Sequence, residues 1–202
     1  TFPDELNYGL GLAAAATAGG QPTAALETVA QLRLLPDPLS EDPRIDLAEA
    51  AAAGLAAQLE RQAAAAGRAA TKAEIADAPL LHARALVSQA PALRALGRLR
   101  EAEQAANRAV GLYTTFAQPT GRAEALTAKA SAQFDLSRYD EAAEGYEEVA
   151  EIFRDLEDRG GLASALNNLA VVKKRQGDSA QASALYRETE QIYQEIENPR
   201  GL

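Results

Sequence analysis

The chain repeats itself. Shifted by 40 residues, it aligns Leu86 with Leu126 and Leu166, and Ala102 with Ala142 and Ala182. Gly97, Ser137 and Gly177 share one position, Tyr146 matches Tyr186, Phe153 matches Tyr193, and Ala83, Ala123 and Ala163 open the three copies. A fixed period of this size restricts the chain to architectures in which one supersecondary unit stacks on the next. A single unit cannot bury its apolar face alone.

Each copy reads as two helices. In the last, Leu162, Leu166, Leu169 and Val172 fall on one face at helical spacing. Gln176-Gly177-Asp178 breaks the pattern, with glycine at a helix end and Asp ahead of the next start. Ala182, Leu185, Tyr186, Ile192 and Tyr193 supply the second stripe. The small Ala at 102, 142 and 182 lets two helices approach closely, and the aromatics at 146 and 186 fill the space towards the following copy. Composition agrees, because the dominant Ala and Leu lose little on entering a helix.

These residues resemble the tetratricopeptide repeat in its 40-residue variety. Leu166, Leu169, Ala170, Gly177, Ala182 and Tyr186 match its helix–turn–helix pattern. The copy before supplies Leu126, Ala130, Ser137, Ala142 and Tyr146, with Lys129 where Leu is usual. The copy before that supplies Leu86, Ala90, Gly97 and Ala102, with Ala106 in the aromatic place. The resemblance implies an all-α fold, a right-handed superhelical solenoid of antiparallel helix pairs, about five in number. Residues 1–38 fit a degenerate pair, with Tyr8 in the aromatic place, Gly19 at the turn, Ala24 at the small position and Pro36 at the end. Residues 39–78 read as a divergent pair after a proline-rich linker, without a glycine turn. Residues 79–202 read as three repeats, 79–119, 120–159 and 160–199, with Arg200-Gly201-Leu202 as the start of a truncated further one. The chain thus reads as a piece of a longer protein, and its apolar last repeat is expected to self-associate end to end. "FPDELNYGLGLA" and "LPDPLSEDPRIDLAEA" also resemble the repeat region of bacterial regulators that carry a protein kinase or winged-helix domain.

Several chemistries are excluded. A net charge of -9 argues against nucleic acid, which needs a basic patch. No apolar run reaches the roughly 20 residues of a membrane span, so no membrane contact is expected. With no cysteine and one histidine, a zinc site lacks ligands, and no cofactor is expected. His82 reads as an exposed residue near a helix start. Gly9 to Ala14, "GLGLAA", matches a dinucleotide fingerprint in letters only, since no strand precedes it. Glu147, Glu148 and Glu151, and Asp155, Glu157 and Asp158, read as solvated helix faces. No supporting constellation for catalysis accompanies them, so the chain reads as a non-enzyme. Pro91 falls inside a helical pattern and predicts a tolerated bend.

In tetratricopeptide arrays the first helix of each pair lines a concave, partner-binding side. The resemblance places there Ser164, Asn167, Asn168, Val171, Lys174 and Arg175, then Glu124, Thr127, Ala128, Ser131, Phe134 and Asp135, and further along Arg84, Val87, Ser88, Pro91, Arg94 and Ala95. Asparagine can bond an extended backbone through donor and acceptor together. Lys174, Arg175 and Arg94 suit an acidic peptide end. The expected function is a scaffold that binds a protein or peptide. The alternative is a regulatory segment of a bacterial signalling protein that responds to a ligand or partner. The expected location is cytoplasmic, or periplasmic if a membrane span lies upstream.

Overall fold

The computed structural model describes residues 2–197, and among them there are ten α-helices and no strand. The helices are α1 (Phe2–Ala18) and α2 (Pro22–Leu32), then α3 (Pro43–Leu55) and α4 (Leu59–Ile75). α5 (Pro79–Ala95) and α6 (Leu99–Thr115) follow, then α7 (Pro119–Asp135) and α8 (Tyr139–Asp155), then α9 (Arg159–Arg175) and α10 (Ser179–Glu197). One 3-10 turn, Leu39–Glu41, precedes α3. The expected start of a further repeat at Arg200-Gly201-Leu202 lies outside the described residues.

The period has a geometric origin. Helices α4 to α9 are each 17 residues long, and each is followed by a three-residue turn. Two such helices and two turns make the repeat of 40. Each turn closes in the same way. In the turn after α7, the Ser137 amide donates to Phe134 O at 2.9 Å and the Arg138 amide to Gln133 O at 2.9 Å. This is the capping arrangement that requires a left-handed middle residue. Gly97 and Gly177 meet that requirement without strain, with φ of 74° and 88°. Asp77, Ala117, Ser137 and Glu157 adopt φ of 50°, 49°, 63° and 55° with side chains attached. Proline begins α2, α3, α5 and α7, where its missing N–H would be unpaired in any case. Asp158 caps α9 by accepting from the Gly161 amide at 2.9 Å.

The chain divides into two compact units, Thr1–Leu112 and Tyr113–Leu202. In the first, Leu6, Ala13, Val29, Leu32 and Ile45 form one core cluster. Beyond it the interior of α3 and α4 is rich in alanine: Ala50 of α3 packs with Ala65 and Ala66 of α4, and Ala52, Ala53, Ala63, Ala69 and Ala70 are also buried. In the second unit, Ala130, Ala142, Ala143, Tyr146, Leu169 and Val172 form the core, with Phe134, Tyr139 and Leu185 packed against it. The Tyr146 hydroxyl lies 2.8 Å from Ser131 Oγ, which supplies the partner a buried phenol needs.

Several expectations are corrected. His82 is buried, with 6% exposure, rather than exposed. The 40-residue register places it level with Arg122, which is half-buried, and with Leu162, which is buried. Gly19 does lie in the first turn, and Gly20 beside it is the left-handed residue, with φ of 70°. One residue further along, Ala25 rather than Ala24 is the buried small position. Tyr8 is 71% exposed and packs no core. The stretch read as a linker ends inside α3, which begins at Pro43. Gly9 to Ala14, by contrast, is helical as expected and lies within α1, where Gly9 admits the Leu32 side chain: a Cβ there would stand 2.4 Å from Leu32 Cδ2. Pro91 sits at an exposed position and α5 continues past it to Ala95.

Candidate functional site

The first helices of the pairs in the first unit, α1, α3 and α5, enclose an open pocket of about 600 Å³. That is within the ~300–1,000 Å³ usual for small-ligand sites. Its apolar wall comes from Leu10 of α1 and Leu47 of α3, with Ala14, Ala18, Ala48 and Ala51 between them. The polar groups are Asn7, Thr17, Arg44, Arg84 and Ser88. No Asp or Glu lines it, in a chain with 29 acidic residues.

These polar groups differ in what they already bond. Thr17 donates its hydroxyl to Ala13 O at 2.8 Å. Arg44 is held by Asp42, with Nη2 to Oδ2 at 2.8 Å and Nε to Oδ1 at 2.9 Å. That pairing raises the guanidinium above its ordinary value. Arg44 Nη1 also donates to Asn7 Oδ1 at 3.3 Å, which leaves the Asn7 amide N–H groups to the pocket. Arg84 and Ser88 lie one turn apart on α5, and among the described residues neither has a side-chain partner. The groups left over are all able to donate.

A second polar cluster braces the opposite side of α3. Asp46, with 0% exposure, accepts from Arg33 Nη2 at 2.7 Å and Arg68 Nε at 2.9 Å. Its other oxygen lies 2.8 Å from Lys72 Nζ, close enough for an ion pair but off the angle of a good hydrogen bond. Glu49 accepts from Arg33 at 2.6 Å, Arg61 at 2.7 Å and Arg68 at 2.7 Å. Burial raises both carboxyl groups. The cations outweigh it: Lys72, Arg33 and Arg68 hold Asp46 below its ordinary value, and Arg61 and Arg33 do the same for Glu49. Helical spacing puts Asp46 and Glu49 on one face of α3 and Arg61, Arg68 and Lys72 on one face of α4, and only packing brings the two faces and Arg33 together.

In the second unit the expected partner-binding residues sit on α7 and α9. Asn167, Val171, Lys174 and Arg175 are exposed on α9 and Asn168 is half-buried beside them. None of the five has a side-chain partner among the described residues. Lys173, one residue away, pairs with Glu147 at 3.0 Å. On α7, Glu124 is exposed, but Thr127 donates to Ala123 O at 2.8 Å and Ser131 to Thr127 O at 2.8 Å. Those two hydroxyls are engaged within the helix. Arg94 is exposed on α5 in the first unit and does not line the pocket. His82 faces Arg108, 3.4 Å away, and is lowered by burial and by that cation. Among the described residues no group of three His, Cys, Asp or Glu is placed to hold a metal ion, and no helix is long and apolar enough to cross a membrane.

Helical hairpins repeated in this way, with matching three-residue turns after α4 to α9, define a helical repeat array. Residues 121–195 match the tetratricopeptide repeat family. Solved structures share the fold over nearly the whole chain. RapI in its apo form superposes with a TM-score of 0.83 at 14% identity, covering 96% of this chain and 72% of that one. A Podosopora anserina protein described as a kinesin light chain with nearly identical TPR-like repeats gives 0.81 at 18%, covering 100% and 99%. A Rap protein complexed with competence and sporulation factor gives 0.71 at 17%, covering 85% of this chain and 48% of that one. No curated protein sequence matches the chain.

Proposed function

We propose that the chain is a non-enzymatic interaction scaffold that binds an extended peptide, or a partner protein presenting one, along the first helices of its pairs. The observation that carries this reading is the row Asn167, Asn168, Val171, Lys174 and Arg175. Their spacing keeps them on one face of α9, and none is engaged by the fold. The two amides can satisfy both the C=O and the N–H of an extended backbone. Lys174 and Arg175 can receive an acidic end. The basic last turn also complements the helix dipole, which accounts for the charge of α9 but not for the amides. A protein of the same fold has been solved with competence and sporulation factor bound, in keeping with such a role. The division into pairs at 1–38 and 39–78 and repeats at 79–119, 120–159 and 160–199 belongs to this reading, as does a cytoplasmic location.

The test is selection of a random peptide library against the chain. Selected peptides should bind the unaltered chain and lose at least about tenfold in affinity to the Asn167→Ala, Asn168→Ala double variant. Helicity should be unchanged. Equal binding by the double variant would defeat the proposal. A second reading, a regulatory segment of a larger bacterial kinase or transcriptional regulator, is favoured by the pocket in the first unit, which has the size of a small-ligand site.

A further inference from the structure

The pocket between α1, α3 and α5 is separate from the α9 row and differs from it in chemistry. We infer that it binds a small aliphatic monocarboxylate, with Arg84 receiving the carboxylate and the Leu10–Leu47 wall receiving the hydrocarbon body.

The charge count selects a single negative charge. Two guanidinium groups line the pocket, but Arg44 is already neutralised by Asp42. Arg84 alone is left with no acid facing it. The neutral groups reinforce the preference for an acceptor. Ser88, one turn along α5 from Arg84, offers a hydroxyl, and Asn7 offers N–H groups because its oxygen already accepts from Arg44. A planar carboxylate suits a guanidinium fork. A dianion would carry more charge than the lining can balance. The wall selects the body. It is wholly aliphatic, with no ring for an aromatic ligand to stack on. Burying methylenes there is favourable in proportion to the area covered.

α3 holds the pocket open. Arg44, Leu47, Ala48 and Ala51 face it, while Asp46 and Glu49 of the same helix are tied to Arg33, Arg61, Arg68 and Lys72. The wall is therefore formed before a ligand arrives.

The experiment is calorimetric titration of the 202-residue chain with octanoate, with octanol and octylamine as controls. Octanoate should bind saturably at one site, octanol about tenfold or more weaker, and octylamine not at all. Arg84→Gln should weaken octanoate by about tenfold or more and leave octanol unchanged. Ala51→Phe, at an exposed position of the wall, should block both while circular dichroism shows the fold retained. The Asn167→Ala, Asn168→Ala variant should bind octanoate as the unaltered chain does, so failure here and failure of the peptide reading are distinct outcomes. Octanoate and octanol binding alike, or Arg84→Gln binding octanoate normally, would overturn the inference. So would a peptide with an aliphatic free C-terminus binding where octanoate does not.

Discussion

Phe153 lies against Gly161 so closely that a Cβ on the glycine would stand 2.4 Å from Phe153 Cδ1. Tyr113 and Gly121 repeat the arrangement 40 residues earlier, at 2.5 Å from Tyr113 Cε1. In both, an aromatic ring from the end of one repeat covers the backbone at the start of the next. Gly161→Ala should therefore destabilise the second unit by ~1–3 kcal/mol through overpacking. Pairing it with Phe153→Leu should recover part of the loss, giving a non-additive double-mutant cycle in urea unfolding. Additive losses would show that the ring can move aside.

Asp46→Asn should be among the most damaging single changes in the first unit. It keeps the shape but removes the charge facing Arg33, Arg68 and Lys72, at a cost of ~1–3 kcal/mol, since Asp46 is buried but the three cations are partly exposed. Thermal unfolding would measure it.

The same two carboxylates set an acid limb. The folded protein holds Asp46 and Glu49 below their ordinary values. Their stabilisation is thus fully present above the unfolded values near ~4 and is lost as pH falls through the folded ones. Stability should drop below about pH 4, and Asp46→Asn should flatten part of that drop. An unchanged pH profile in the variant would remove Asp46 from the acid limb.

The left-handed turn residues predict opposite signs for opposite substitutions. Ser137→Gly and Glu157→Gly should be neutral or stabilising by up to ~1 kcal/mol, since φ of 63° and 55° strains a residue with a side chain. Gly97→Ala, at φ of 74°, should destabilise by ~1–2 kcal/mol. Denaturant midpoints would read both.

The end-to-end self-association expected from the sequence is a separate proposal. α10 exposes Tyr186, Tyr193 and Ile196, two of which stand level with Tyr146 and Phe153 of the preceding repeat. Concentration-dependent association in sedimentation equilibrium is expected, and Tyr193→Glu should abolish it. A single monomeric species at high concentration would count against this surface.

What could be read from the sequence was whatever recurs. The 40-residue shift located the helices of the later repeats and the turns at Gly97, Ser137 and Gly177, because identical units need identical punctuation. It could not have placed His82 inside, since its register mates are Arg122 and Leu162, one half-buried and charged, the other buried and apolar. The pocket and the ion cluster do not recur. Arg33, Asp46, Glu49, Arg61, Arg68 and Lys72 come from separate elements and meet only through packing. Their spacing is helical within α3 and within α4, but the 40-residue register does not repeat it. Arg84 and Ser88 stood on the expected face of α5, but their neighbours Asn7, Leu10 and Leu47 lie in pairs where the repeat pattern has decayed.

The alanine interior shared by α3 and α4 bears on how this chain can change. Positions such as Ala50, Ala65 and Ala66 are fully buried between helices, so a larger side chain at any of them must push backbones apart. Variation in that half is thereby confined to its outer and pocket-facing positions. Lineages of this protein can alter what the pocket accepts, at Ala14, Ala51 or Arg84, far more readily than they can alter the frame that holds it.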